Sequence, residues 1–301
     1  MSPVAIALVL VYLIWGSSPL ATKVLVMDEP ALLVSGLRFT LAGLFMGALA
    51  WWRHGPPRLQ WDDLRQVLLM ATGSILISNG CNALGFQHVA SNVGALLNAT
   101  PALMIAALGT LGPRASRLDR SAMVGLLLGV IGVVLVLDPF GKDGSTTELA
   151  WSGVVLIGCL GWSFATIYYR NIATHNPPET FLAMQMLTGG LGLLVWSQAS
   201  GEPFDTDWTQ EATTAFLWLT VMSTCVGYTA FNFLVRQSTP VIAGSFGYVI
   251  PGVAALLGWL VLDERLSAAQ VTGMGVILLS TALVTGYANR WLNRRRVSRP
   301  G

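Results

Sequence analysis

From Gln66 to Pro113 the chain carries no Asp, Glu, Lys or Arg. A helix that crosses a bilayer needs about 20 predominantly apolar residues. The run therefore holds two crossings and a short turn, since no soluble core helix extends so far without a charge. The rest of the sequence agrees. Only 11% of the 301 residues are charged, against about 25% in ordinary soluble domains. With 53% apolar residues and a mean hydropathy of +0.62, its 17 Lys+Arg and 15 Asp+Glu cannot coat a soluble globule. A net charge of +2 gives no footing for nucleic acid.

Ten apolar segments follow one another, at roughly 4–25, 30–52, 66–86, 91–112, 120–137, 150–170, 180–200, 212–234, 240–262 and 269–289. Turn-forming clusters separate them, for example Met27-Asp28-Glu29-Pro30, Arg53-His54-Gly55-Pro56-Pro57 and His175-Asn176-Pro177-Pro178. The first segment reads as a membrane span and not a cleaved leader, because it has no basic n-region and equally apolar segments follow it. The pattern predicts an all-α integral membrane protein of ten transmembrane helices. Counting Lys and Arg by side places thirteen with both termini and the 2–3, 4–5, 6–7 and 8–9 connections. Only Lys23, Lys142 and Arg265 fall on the other side, and Arg38 lies within the second span. Positive residues collect on the cytoplasmic side, so both termini are expected there, in the plasma membrane of a bacterium.

The sequence also repeats itself. Shifted by 147, Trp15 meets Trp162, Pro30 meets Pro177, Gly43 meets Gly190, Gly80 meets Gly227 and Phe86 meets Phe233. The shift is 150 in the next span, where Pro101 meets Pro251, and 148 in the last, where Gly125 meets Gly273. The order of matches across five spans predicts two units, 1–143 and 144–290, followed by a basic cytoplasmic tail, 291–301. Five spans is an odd number, so the second unit is expected to insert in the opposite direction. Inverted repeats of this kind place a substrate site near the midplane, between the halves, and reach it by alternating access. A channel would show a pore-lining charged ring or a filter loop, and neither is visible.

Within the spans, charge is expensive and marks function. Arg38 is the clear case, and its repeat mate Gln185 is also polar. Its planar fork suits an anionic group such as a carboxylate. Asn79 and Asn82 share one face of the third span, which lipid would penalise, so that face points inward. Tyr228 and Asn232 share a face of the eighth span, and Asn98 in the fourth is matched to Tyr248 in the ninth. Trp15 and Trp162 are matched aromatics, with Ser17 and Ser18 beside the first. Together these residues predict a cavity for a small amphipathic solute, whose body is buried by apolar walls and whose orientation is set by a few polar groups. Pro101 and Pro251 are hinge candidates, because proline removes a helix hydrogen bond. Cys81, Cys159 and Cys225 show neither a disulfide framework nor a metal-ligand spacing, and no metal or cofactor is expected. The expected partners are the small-molecule substrate and the bilayer, with the chain a monomer. No Asp or Glu lies in the middle of a span, which argues for facilitated or indirectly coupled movement over a carboxylate proton relay.

The segments Ile14-Trp15-Gly16-Ser17-Ser18, Gly36-Leu37-Arg38-Phe39, Ala95 to Pro101, Gly125 to Leu137 and Leu257 to Ser267, with Tyr228, Asn232 and Pro251, carry a family resemblance. Over about residues 1–290 the chain resembles the EamA family of the drug/metabolite transporter superfamily. The resemblance implies ten helices in two repeats, with a central cavity lined by spans 1, 3, 4, 6, 8 and 9. It also implies metabolite transport, often export of amino acids or related compounds. Transport of sugars, nucleobases or other metabolites is the alternative; a membrane-embedded enzyme or a scaffold is a remote one, because no nucleophile–base pair or long partner-binding loop is visible. The sequence departs from the family in one place. A Gly-Glu-Arg-like turn after the fourth span of each repeat is Asp263-Glu264-Arg265 in the second half, but the first half has Gly112-Pro113-Arg114-Ala115-Ser116-Arg117, without an acid. Glu264 is read as a loop or helix-start residue. Reporter fusions to the C-terminal tail test the topology: green fluorescent protein should fluoresce there and alkaline phosphatase should stay inactive.

Overall fold

The computed structural model describes residues 2–108, 120–137, 146–169, 174–237 and 246–284. Within them the chain forms ten helical units, and no strand occurs among the described residues. They are α1 (Pro3–Asp28), α2 (Ala31–His54), α3 (Trp61–His88), α4 (Ser91–Leu97, resumed as Pro101–Leu108), α5 (Arg120–Leu137), α6 (Thr146–Tyr169), α7 (Pro178–Ala199), α8 (Gln210–Leu234), α9 (Phe246–Leu262) and α10 (Ala268–Val284). Seven are at least 18 residues long and apolar enough to cross a membrane. The described parts of α9 and α10 are 17 residues each, about 26 Å at 1.5 Å per residue, which is the lower edge of a spanning length. The tail at 291–301 and the 4–5 and 8–9 connections lie outside the described residues.

Local chemistry sets the ends of these helices. Ser2 Oγ accepts from Ala5 N at 3.3 Å and Pro3 occupies the first turn of α1. Asp62 and Asp63 sit in the first turn of α3, where the helix dipole favours acid. α4 departs from the continuous span expected over 91–112. It stops at Leu97 and resumes at Pro101, and Ala99 N and Thr100 N turn back onto Leu96 O and Leu97 O. The residue before a proline is pushed out of the helical region, whereas proline itself suits a first helical position. Pro251 behaves differently, lying inside an unbroken α9. A second departure is a widening to π-helix at Thr72–Ile77 in α3 and at Trp218–Gly227 in α8. These matched segments interrupt spans that the sequence reads as plain α-helix.

Two seams hold the halves together. α2 packs on α7 and α5 packs on α10, each helix on its own repeat mate. Moving up α2 from Gly36 through Thr40 and Gly43 to Gly47 moves down α7 from Leu194 through Gly190 and Leu187 to Ala183. The two helices are therefore antiparallel. A Cβ on Gly43 would lie 2.6 Å from Leu187 N, and one on its mate Gly190 would lie 2.5 Å from Thr40 N, the residue matched to Leu187. Backbones this close leave no room for side chains. The same exchange governs α5 and α10, where a Cβ on Gly125 would meet Ser280 O at 3.0 Å and one on Gly273 would meet Gly132 O at 2.8 Å. Ser280 Oγ donates to Gly125 O across that seam.

The remaining helices cross over. α1 packs on α8 and α9, and α6 packs on α3 and α4. The connections pair by end. At one end the 2–3 and 6–7 connections meet: Arg58 N donates to Asn176 Oδ1 at 2.8 Å, and Asn176 Nδ2 donates to the buried Asp63. At the other, acidic end, Glu202 accepts Leu32 N and Leu33 N at the start of α2, and Glu29 accepts Trp208 N. A large residue at a seam glycine should fail where one in open space succeeds. Gly190→Leu is expected to lower stability by at least about 1–3 kcal/mol, read as a lower thermal unfolding midpoint in detergent. Gly153→Ala, with nothing within 4 Å of its added carbon, should leave that midpoint in place.

Candidate functional site

Three side-chain groups meet where α1, α2, α3, α4, α6, α8 and α9 converge. The first surrounds Arg38. Its Nη2 donates to Asn79 Oδ1 at 3.1 Å, and Asn79 Nδ2 donates to Ser74 O at 2.8 Å. Ser74 Oγ accepts from Gln185 Nε2 at 2.6 Å, which ties the repeat mate of Arg38 into the same network. Arg38 is only 7% exposed, and its Nε has no hydrogen-bond partner. Among the described residues no carboxylate lies within salt-bridge distance of it. Tyr228 lies beside both Asn79 and the Arg38 charge.

The second group is aromatic. Trp15 meets Trp162 edge-on at 6.3 Å between ring centroids, Tyr228 at 5.5 Å, Phe231 at 5.0 Å and Phe246 at 5.5 Å. Trp162 also meets Tyr228 at 6.1 Å. The Trp15 indole is oriented by its Nε1, which donates to Ser223 O at 3.2 Å. The third group is polar: Asn98 Nδ2 donates to Asn82 Oδ1 at 2.7 Å, and Cys159 Sγ donates to Asn98 Oδ1 at 3.3 Å. Tyr228 belongs to the first two groups at once, with its ring against the tryptophans and its hydroxyl near Asn79.

The π segments explain part of this arrangement. A wide turn changes which backbone carbonyls face neighbouring donors. Ser74 O is met by a side chain five residues on, Asn79, and Leu219 O is met by Thr224 Oγ1, again five residues on. Ser223 O, in the π segment of α8, takes the Trp15 indole.

The structure thus gathers Trp15, Arg38, Asn79, Trp162 and Tyr228 at one place, with Asn82 and Asn98 bonded to each other on α3 and α4. Both asparagines of α3 face inward through helix–helix hydrogen bonds. Ser17 sits elsewhere: its hydroxyl accepts from Trp218 Nε1 at 3.0 Å, at the partly exposed contact of α1 with α8. Ser18 is the serine that reaches inward, its Oγ 2.8 Å from Ser223 Oγ. Asn232 is half-buried, one turn beyond Tyr228, and joins none of the three groups. Tyr248 falls in α9, and its side chain lies outside the described residues. Ser74, Ser223, Phe231 and Phe246 escaped the sequence reading. Phe231 follows Tyr228 by three residues and so shares its face, a helical-spacing signal that was there to be used. Ser74 and Ser223 carried no such signal, because the π turns that aim them were not foreseen.

At the acidic end a cleft of about 340 Å³ opens, lined in part by Asp28, Glu29, Glu202 and Asp205. Among the described residues no group of His, Cys, Asp or Glu could hold a metal ion.

Ten helical units in two matched sets, seven of them long and apolar enough to span, with a buried cation and an aromatic cluster between the sets, define a multi-pass membrane transporter. The sequence pattern of the EamA-like transporter family matches residues 2–138 and 149–286. The chain belongs to that family, within the drug/metabolite transporter superfamily. It is 28% identical over 285 residues to the uncharacterized inner membrane transporter YedA of Escherichia coli (strain K12), covering 93% of this chain and 89% of that protein. It is 25% identical over 281 residues to a WAT1-related chloroplastic protein of Arabidopsis thaliana, covering 91% of this chain and 67% of the other. A solved crystal structure shares the fold at 20% identity, with a TM-score of 0.67 over 97% of this chain and 99% of that one.

The Arg38 network has a measurable cost of disruption. Asn79→Leu leaves the buried guanidinium without its acceptor and is expected to destabilise the protein by about 1–3 kcal/mol. Thermal unfolding in detergent reads this, and Asn232→Leu should shift the midpoint by less.

Proposed function

We propose that this protein is a secondary transporter that exports small carboxylate-bearing solutes, amino acids or related neutral and zwitterionic compounds, across the plasma membrane by alternating access. The observation that carries the reading is Arg38, a cation buried in a span with no carboxylate partner among the described residues and with Nε unsatisfied. A buried guanidinium without a counter-charge is costly, and a carboxylate offers both its charge and two acceptor oxygens. Tyr228 and Asn79 lie beside it to orient that group, and Trp15 and Trp162 provide apolar walls for the rest of a small solute. A phosphorylated solute would call for several cations, whereas Arg38 is the basic residue within this group.

Two halves that insert in opposite directions around a shared site are one architecture for alternating access. The antiparallel packing of α2 on α7 and the exchange of contacts between mates support that geometry. So does the pairing of the 1–2 connection with the 7–8 connection at one end, since parallel repeats would pair 1–2 with 6–7. The basic loops assign the other end, with both termini, to the cytoplasm. Among the described helices acidic residues fall at the ends, in the last turn for Asp28 and in first turns for Asp62, Glu148, Glu179 and Glu211. This favours facilitated or indirectly coupled movement over a mid-span carboxylate relay.

Flux into and out of proteoliposomes, screened across amino acids, sugars and nucleobases, tests the assignment. Carboxylate-bearing solutes should move, and Arg38→Gln should slow them at least about tenfold, a loss of the size expected for one charge-assisted contact. Flux of sugars or nucleobases alone, or full activity in Arg38→Gln, would falsify the substrate class. Accumulation driven by a clamped proton gradient with no solute gradient would overturn the uncoupled mechanism.

A further inference from the structure

Glu264 does something unexpected for a residue in a connection. Its carboxylate accepts three hydrogen bonds from the start of α4, in the other repeat: Ser91 N to Oε1 at 2.7 Å, Ser91 Oγ to Oε2 at 2.7 Å and Asn92 N to Oε2 at 3.0 Å. The first turn of a helix presents unpaired N–H groups and a positive dipole end, so an anion there is favoured. Here the anion is supplied from just beyond the end of α9. The two helices so joined belong to opposite repeats and both pass close to the site, α4 through Asn98 and α9 through Phe246.

The local backbone is built to deliver this carboxylate. Asp263 adopts a left-handed conformation, with φ of 53°, an uncommon state that Asp tolerates better than most residues. The chain then folds back so that Glu264 N donates to Gly258 O at 3.1 Å. Gly258 also leaves the path clear. A Cβ there would lie 2.5 Å from Glu264 Oε2 and 3.1 Å from Ser91 Oγ, so any side chain at 258 would displace the carboxylate. Nearby, Lys23 Nζ donates to Gln87 O at 3.3 Å, tying α1 to the end of α3. Its charge also sits in the field of Glu264.

The matched position at the opposite end carries no acid. Shifted by 148, Glu264 falls on Ser116, and the stretch Gly112 to Arg117 contains no acid. We infer that Glu264 is a one-sided latch, which clamps α9 to α4 at the acidic end and biases the resting transporter toward a state closed there and open at the basic end. Gly258 and Asp263 are the positioning residues that let it close. Alternating access then requires the three Glu264 bonds to break in each cycle. The inference rests on the alternating-access reading above, but the distance between the ends of α4 and α9 can be measured without any substrate.

The test uses the full chain in nanodiscs, with Cys81, Cys159 and Cys225 replaced by alanine and spin labels at His88→Cys and Ala268→Cys, exposed positions flanking the latch. The parent should give one short, narrow distance distribution. Glu264→Gln removes the charge and puts an amide donor against N–H donors; Gly258→Ala keeps the charge and blocks its path. Both should shift the closed-to-open ratio by about ten- to a hundredfold, as expected for losing charge-assisted bonds, and appear as a longer, broader distribution. Ser91→Ala, which deletes one bond of three, should fall between them and the parent, and Gly252→Ala, in open space, should match the parent. If Glu264→Gln and Gly258→Ala both keep the parent distribution, the latch is wrong. If the chain with its own cysteines moves no solute in the flux assay, the transport reading fails, while these distances still decide the latch.

Discussion

The fold depends on backbones coming into direct contact along two antiparallel seams. In lipid there is no hydrophobic drive to press helices together, because the surrounding chains are as apolar as leucine. Association has to come from close packing, and packing this close is possible only where side chains are missing. Gly43 and Gly190 meet Leu187 and Thr40 in that way, and Gly125 and Gly273 meet Ser280 and Gly132. Each contact in one repeat is returned by its mate, so one short pattern of small residues, written twice, fixes the relation between the halves. The seams leave α2/α7 and α5/α10 as paired supports and put α1, α3, α4, α6, α8 and α9 between them.

Polar atoms inside this framework are placed by the need for partners. A lone amide or cation in lipid is costly, so Asn79, Asn82, Asn98 and Gln185 find one another, a backbone carbonyl, the Ser74 hydroxyl or Arg38. The π turns of α3 and α8 belong to the same logic. They redirect carbonyls toward side chains that would otherwise go unmet, and they put those turns beside Arg38 and Trp15. Arg38 keeps one nitrogen unsatisfied at the point where Tyr228 brings the aromatic cluster to it. An incomplete network at such a place is what a solute group can complete.

The two ends of the bundle are bridged between the repeats by different sets of residues. At the acidic end carboxylates grip backbone N–H groups: Glu202 on α2, Glu29 on Trp208 and Glu264 on α4. At the basic end Asp63 and Asn176 bind side chain to loop. All of these bonds cross between the repeats. The halves are related by symmetry in their helices but not in their connections, and it is in the connections that a preference for one state over the other can be written.

The sequence by itself determined the membrane class, the apolar segments, the five-plus-five division and part of the polar and aromatic centre. Each is a property of composition, period or spacing, and lipid enforces it residue by residue. Arg38, Asn79, Trp15, Trp162 and Tyr228 could be chosen because a charge, an amide or a matched tryptophan stands out in an apolar span. Only the tertiary structure decided which serine faces inward, that α4 breaks while α9 does not, and that two spans widen to π-helix. It also decided that Glu264, which reads as a loop residue, holds the start of a helix 173 positions away in sequence. The reason is physical: a hydrogen bond across the bundle depends on the facing helix's register, rotation and clearance, and the glycine that provides clearance for Glu264 carries no mark of its purpose until its neighbour is in view.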